Sequence, residues 1–339
     1  MTLFMQTKLL VYAKILTNQQ QSFQTRRLFF SFCAFTFYLI ISTLPACAET
    51  VKTSCPPKLV MATPSNIDNI FPDWDKSCGK PENFIYSRSK MLSELAQANI
   101  VYLGETHDSS VDHQNQLQII QELQQRHPKI AIAMEMFQRP YQGVVDQYLA
   151  GKLTEKELLD KSEYETRWGF PWEYYAPILR FAKDKQLPVL ALNTPTEITR
   201  KVARQGLESL TASQRKYIPP FAEIDISNEK YRQLSLQAFQ QHQSGGHGNS
   251  SGAERFFLAQ VLWDETMAEG IAKFVKANPD YQVVVLAGQG HIVYGYGIPS
   301  RVARRLGSQK LIQRSVLLSP PQEAITGKDE VAIADFVFK

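Results

Sequence analysis

The sequence predicts an α/β fold: a mostly parallel central sheet flanked by helices, with helical insertions over the carboxyl-terminal edge of the strands. Three observations lead there. Four short, continuous apolar runs stand out: Ile100–Leu103, Ile130–Met134, Pro188–Leu192 and Val283–Ala287. Runs of that length without polar alternation suit strands buried on both faces. Helical patterns fall between them, the alternation expected of βα units. Finally, each run ends in polar residues: Gly104-Glu105-Thr106-His107-Asp108, then Glu135, then Asn193-Thr194, then Gly288-Gln289-Gly290-His291. In parallel sheets that edge is where ligands bind.

The elements follow in chain order. Residues 1–48 read as a leader. Arg26-Arg27 precede an apolar run from Leu28 to Ala46, and Ala46-Cys47-Ala48 closes it. A basic stretch, an apolar stretch and an A-x-A site make a secretory signal cleaved after Ala48. Two alternatives stay open. The run is near the ~20 residues that span a bilayer, so it can anchor. Leu44-Pro45-Ala46-Cys47 also resembles a lipoprotein signal with Cys47 as the lipidated residue, although Pro45 fits poorly. An exported, periplasmic or cell-envelope protein is expected, touching membrane only through an uncleaved signal or a lipidated Cys47.

Residues 49–85 read as an extended segment. Cys55 and Cys78 form a natural disulfide pair outside the cytosol; two unpaired thiols are the alternative. The α/β domain is expected over 86–325. Ser110–Arg126 carries Leu117, Ile120 and Leu123 on one helical face, and Tyr175–Lys185 and Thr196–Gln205 are further helices. Helical insertions are expected at 139–168 and 207–279, the second containing a helix over Glu254–Lys276. Ser315–Ser319 is a weaker fifth strand, and 326–339 reads as a tail.

Composition removes several function classes. The formal charge is +4, but Lys8, Lys14, Arg26 and Arg27 supply all of it. Beyond residue 48 the chain holds 33 basic and 33 acidic residues, with no basic stripe, so no nucleic-acid partner is expected. Gly288-Gln289-Gly290 superficially suggests a dinucleotide loop, but Val293 stands where its third glycine belongs. There is no C-x-x-C-H, which excludes covalently attached haem.

The candidate site is Glu105, His107, Glu135 and His291. Glutamate and histidine offer oxygen and nitrogen ligands to a divalent metal ion, or an acid/base set for catalysis. Glu135 sits between Met134 and Met136, where a carboxylate needs a partner; Arg139 is one choice. Asp264 shares a helical face with Phe257, Val261 and Ala268, so it either pairs with a cleft histidine or reaches solvent from the stripe edge. His113 faces inward with Leu117 and Ile120, as a core histidine does. The aromatic cluster from Trp168 to Tyr175, with Tyr294 and Tyr296 after His291, can wall a flat apolar ligand or simply fill the core.

These residues carry a resemblance. GETHD, EMF, W-x(6)-Y-x-P-I-L, PVLALN, WDETMA and GQGH followed by GIP, in that order over about residues 90–305, resemble the ChaN-like haem-binding family of the Tiki superfamily. The resemblance implies an α/β fold, noncovalent haem binding in haem or iron handling, a tyrosine axial ligand and a homodimer. It does not place the ligand: Tyr175, His113, Asp264, Tyr294 and Tyr296 are the candidates. In the superfamily's enzymes, residues matching Glu105, His107, Glu135 and His291 form the active centre. The resemblance therefore also implies an alternative, a metal-dependent or Glu/His-based hydrolase using the same cleft.

Overall fold

The structure is a computed structural model that describes residues 61–63, 85–242, 250–307, 311–319 and 332–338. The leader with Cys47 and the Cys55–Cys78 pair lie outside the described residues. Among the described residues, no helix is long and apolar enough to cross a membrane.

The strands are β1 (Met61–Thr63), β2 (Ile85–Ser87), β3 (Ile100–Glu105), β4 (Ile130–Gln138), β5 (Val189–Asn193), β6 (Gln282–Gly288), β7 (Gln313–Leu318) and β8 (Phe336–Phe338). They form one sheet in the order β2-β1-β8-β7-β3-β6-β4-β5, with every described pair parallel. The helices are α1 (Arg88–Ala96), α2 (Ser110–Arg126), α3 (Gln142–Leu149), α4 (Glu155–Ser162), α5 (Tyr164–Arg167), α6 (Trp172–Asp184), α7 (Thr196–Gln205), α8 (Ala212–Arg215), α9 (Glu229–His242), α10 (Ser250–Ala277) and α11 (Ile298–Leu306).

Successive strand side chains point to opposite faces, and the central strands serve two cores. Val101 and Leu103 of β3, Ile130, Ile132 and Met134 of β4, and Val284 and Leu286 of β6 pack on one side with α1, α2, α3, α4 and α6. Ile100, Tyr102, Ala133, Val283, Val285 and Ala287 pack on the other with α9, α10 and α11. A strand covered on both faces has little room for a polar side chain before its last residues. That is why these strands read as unbroken apolar runs and why polar residues gather at their ends.

Three boundaries differ from the sequence expectation. β4 runs four residues past Met134, so Glu135 belongs to the strand, and its register with β5 shifts between Met134 and Gln138. The sheet also begins earlier than Tyr86, because Met61–Thr63 pairs with both β2 and β8. Lastly, the chain end is not simply a tail: Phe336–Phe338 is a buried strand between β7 and β1. Three-residue strands carry too little periodicity to stand out in a sequence, and their partners are distant.

Candidate functional site

The site is built where β3, β6 and β4, neighbours in the sheet, end together. Gly104, next to last in β3, makes room for the turn that leaves β6: a Cβ there would lie 2.8 Å from Leu317 Cδ2 and 3.4 Å from the Gln289 backbone. Past Glu105 the chain loops into α2. Ser109 caps that helix by accepting from the Asp112 amide at 3.2 Å, and Asp112 accepts in turn from the Thr106 amide at 2.9 Å. The loop holding His107 is thereby fixed from both sides.

Glu105 and His107 form a buried pair. His107 Nδ1–H donates to Glu105 Oε1 at 2.7 Å, and Tyr175 donates its hydroxyl to the same oxygen at 2.5 Å. Gln116 donates to Oε2 at 2.6 Å. His113 stands 3.7 Å from Oε2, and its own ring nitrogens meet Gln116 Oε1 and the His107 carbonyl, each at 3.1 Å. Burial alone raises the Glu105 pKa, but the His113 charge and the His107 hydrogen bond outweigh it and hold the carboxyl below its ordinary value. For His107, burial lowers the pKa; the Glu105 hydrogen bond and the Glu135 and Glu105 charges reverse that and leave it raised. Trp168 and Phe170 collar the His107 ring at centroid distances of 4.8 and 4.9 Å.

Glu135 and His291 form a second pair. Gly288 N–H donates to Glu135 Oε2 at 2.8 Å, and His291 Nε2 stands 3.4 Å from Oε1. The other ring nitrogen, Nδ1, is 2.7 Å from Asp264 Oδ1, and Tyr231 donates to Asp264 Oδ2 at 2.5 Å. Burial disfavours both charges, but the pairing outweighs it: Glu135 is lowered to about 2 by His291 and His107, and His291 is raised to about 10 by Glu135 and Asp264. Asn193 of β5 donates to the Glu135 carbonyl at 2.9 Å and ties the neighbouring strand end in.

The structure therefore brings Glu105, His107, Glu135 and His291 to one strand edge, all 6% exposed or less. It resolves two open alternatives. Glu135 pairs with His291 rather than Arg139, which instead pairs with Glu269 at 2.6 Å. Asp264 pairs with His291 and does not reach solvent. The remaining candidates separate. Tyr175, His113 and Asp264 are committed inside this polar network, whereas Tyr294 and Tyr296 stand together, ring centroids 5.5 Å apart. Tyr294 lines a cavity of about 510 Å³ with Tyr102, Pro299, Arg314, Ile333 and Phe336, and none of the four Glu/His residues lines it.

The expected metal centre is not assembled as a ligand set: among the described residues, no three His, Cys, Asp or Glu side chains are grouped to hold a metal ion. The carboxylates and imidazoles are spent on each other in pairs.

Sequence reasoning missed Gln116, Gln260 and Tyr231. Gln116 lies three residues after His113 on the inward face of α2, a spacing that could have found it. Gln260 lies four residues before Asp264 on α10, the same kind of signal. Tyr231 belongs to another helix and only tertiary packing connects it.

Residues 91–302 match the family model described as haem-binding uptake, Tiki superfamily, ChaN. The chain is 28% identical over 276 residues to the Arabidopsis thaliana protein RETICULATA-RELATED 5, chloroplastic. The match covers 77% of this chain and 36% of that protein, so the chain spans about a third of that relative's length. Among solved structures, the one describing cofacial haem binding to ChaN of Campylobacter jejuni superposes with a TM-score of 0.58 at 19% identity, over 74% of this chain and 91% of that chain. That similarity shows the shared fold. An erythromycin esterase mutant in its open conformation gives a TM-score of 0.41 at 15% identity, over 68% and 72% of the two chains.

Proposed function

This chain belongs to the haem-binding ChaN family of the Tiki superfamily, and from that premise we propose that it binds haem noncovalently in haem or iron handling. The observation that carries the reading is the family match across 91–302, most of the described sheet and its helices. The polar site itself does not suit a haem: Tyr175, His113 and Asp264 are buried and hydrogen-bonded within it. The Tyr294 cavity suits one better. Tyr294, Tyr102, Ile333 and Phe336 offer apolar and aromatic wall, and Arg314 offers a cation that a propionate would share with Glu94 and Asp335, both on the lining and 4.0 Å from it. Haem would supply an iron that a phenol oxygen could hold. Tyr294, on the cavity lining, is the phenol that would hold it, with Tyr296 beside it at 5.5 Å between ring centroids.

We place the protein at the cell envelope on the leader pattern of residues 1–48, and as a homodimer, the assembly that ChaN-like proteins imply. The plant relative's name assigns that protein to the chloroplast, a different compartment. Hemin titration of the mature chain, followed at the Soret band, tests the haem reading. A stoichiometric endpoint that Tyr294→Phe weakens at least tenfold supports it; no Soret shift on mixing overturns it. Sedimentation with and without hemin reads the dimer, and amino-terminal sequencing reads the leader.

A second reading has its own support. Two buried carboxylate–imidazole pairs at one strand edge are more than haem binding requires. On this reading the chain is a hydrolase in which His107 Nε2 activates water while Glu105 orients the ring through Nδ1. A panel of esters and peptides, with and without divalent metal, tests it. Turnover that survives His107→Ala rules it out.

A further inference from the structure

His291 is flanked at both ring nitrogens, an arrangement neither reading uses. Asp264 Oδ1 lies 2.7 Å from Nδ1, and Glu135 Oε1 lies 3.4 Å from Nε2. The facing groups come from three elements. α10 contributes Asp264, the Gln260 amide, whose Nε2 lies 3.2 Å from Nδ1 and which meets a protonated Nδ1 with its oxygen turned inward, and the Trp263 ring at 6.1 Å between centroids; β4 contributes Glu135; α9 contributes Tyr231 behind Asp264. His107, across the site, faces the same Glu135 carboxylate. The main chain is also fixed. A Cβ on Gly297 would lie 2.2 Å from the His291 carbonyl oxygen and 3.1 Å from Asp264 Oδ1, so only glycine lets α11 begin this close.

A ring nitrogen facing a carboxylate must carry a proton to bond it, since the carboxylate can only accept. The Asp264 face therefore requires an N–H at Nδ1, and the Glu135 carboxylate 3.4 Å from Nε2 favours a second proton there. The Nδ1 contact is short and its acceptor is braced by Tyr231. The Nε2 contact is longer than a good hydrogen bond, so a ligand oxygen placed nearer can take that N–H while the Asp264 anchor stays.

We infer that Asp264 and Tyr231, supplied by the two long helices of the insertion, are positioning residues that hold His291 as a doubly protonated ring presenting Nε2–H to the site. His291 is then a fixed hydrogen-bond donor, suited to a carboxylate or other negatively polarised ligand oxygen, and neither the base nor a metal ligand. The two histidines of the site are anchored differently: His107 bonds Glu105 through Nδ1, and His291 is faced by a carboxylate at each ring nitrogen.

The test is the imidazole nitrogen spectrum of the full chain labelled with 15N-histidine and recorded without haem, so that failure to bind haem and failure of this assignment are separate results. The chain has six histidines, and His291 is identified by the signal lost in His291→Gln. Two protonated ring nitrogens that stay unmoved through neutral pH are expected in the wild type. Asp264→Asn should leave one nitrogen unprotonated and make the ring titrate near neutrality; Asp264→Glu should restore the wild-type pattern. Tyr231→Phe removes only the hydroxyl and should move the ring part of the way, which keeps the test open if Asp264→Asn does not fold. A wild-type ring with one bare nitrogen at neutral pH overturns the assignment, as does an Asp264→Asn or Tyr231→Phe spectrum identical to wild type.

Discussion

Replacing Glu135 with glutamine should cost about 3 kcal/mol of stability at neutral pH. Gln keeps the shape and the acceptor for Gly288 N–H but removes the charge that faces His291. Glu135 moves from an ordinary 4.5 to about 2 in the folded chain, and at 1.36 kcal/mol per unit that is about 3 kcal/mol. The partner's shift, from 6.5 to about 10, corresponds to about 5 kcal/mol, but Asp264 shares it and the two values describe one interaction, so they do not add. The smaller figure also agrees with the roughly 3–5 kcal/mol lost when one member of a buried ion pair is removed. The sign gives a second check. A lowered carboxylate stabilises above its unfolded value and loses that contribution as pH falls from about 4.5 toward about 2. The wild-type advantage over Glu135→Gln should therefore shrink across that acid window. For the raised histidine the contribution is complete below 6.5 and fades as pH rises toward about 10, so the advantage should shrink there too. Urea unfolding of both chains, followed by far-UV circular dichroism with the slope held equal, measures the difference. A loss below about 1 kcal/mol at neutral pH, or a difference that stays constant down to pH ~3, would refute the ion-pair reasoning.

Three further outcomes follow from the same geometry. Gly297→Ala places a Cβ against the His291 carbonyl, a backbone atom that cannot swing aside; a loss of about 1–3 kcal/mol and a displaced His291 ring signal are expected, and thermal melts with the nitrogen spectrum check both. Tyr175→Phe removes the 2.5 Å donor to Glu105 and should cost about 1–2 kcal/mol, while leaving hemin affinity unchanged if haem lies at the Tyr294 cavity. Glu265→Gln strips the buried carboxylate that Arg304, Arg305 and Arg301 of α11 surround at 2.5–3.3 Å. Arg304 and Arg305 keep Asp225 and Glu223 at 3.6 and 3.7 Å, but all three lose the buried carboxylate, which should cost about 3 kcal/mol in denaturant unfolding.

The parts of this molecule legible in the sequence are those set by local pattern. The central strands announce themselves because burial on both faces excludes polar residues from their middle, leaving Glu105, Glu135 and Gln138 toward the carboxyl ends. α2 reads correctly from Ser110 to Arg126 because its cap, Ser109, and its inward stripe are both local signals. Glu105, Glu135 and His291 are visible because a parallel sheet places the first polar residue of each strand end at one edge. Asp264 was half legible: a carboxylate in an apolar stripe demands a partner, and the stripe does not say which one.

What only the tertiary structure decided is who faces whom. Asp264 to His291 spans 27 residues and Tyr231 to Asp264 spans 33, across different helices. No periodicity encodes such pairings, because they depend on how α9 and α10 lie over the sheet. The same packing separated the tyrosines, placing Tyr175 inside the polar network and Tyr294 at a different cavity. It also turned four residues that read as metal ligands into two ion pairs. Sequence determines which side chains must leave the sheet at its carboxyl edge; their partners are set by through-space geometry, since buried charge is stable only where another chain segment neutralises it.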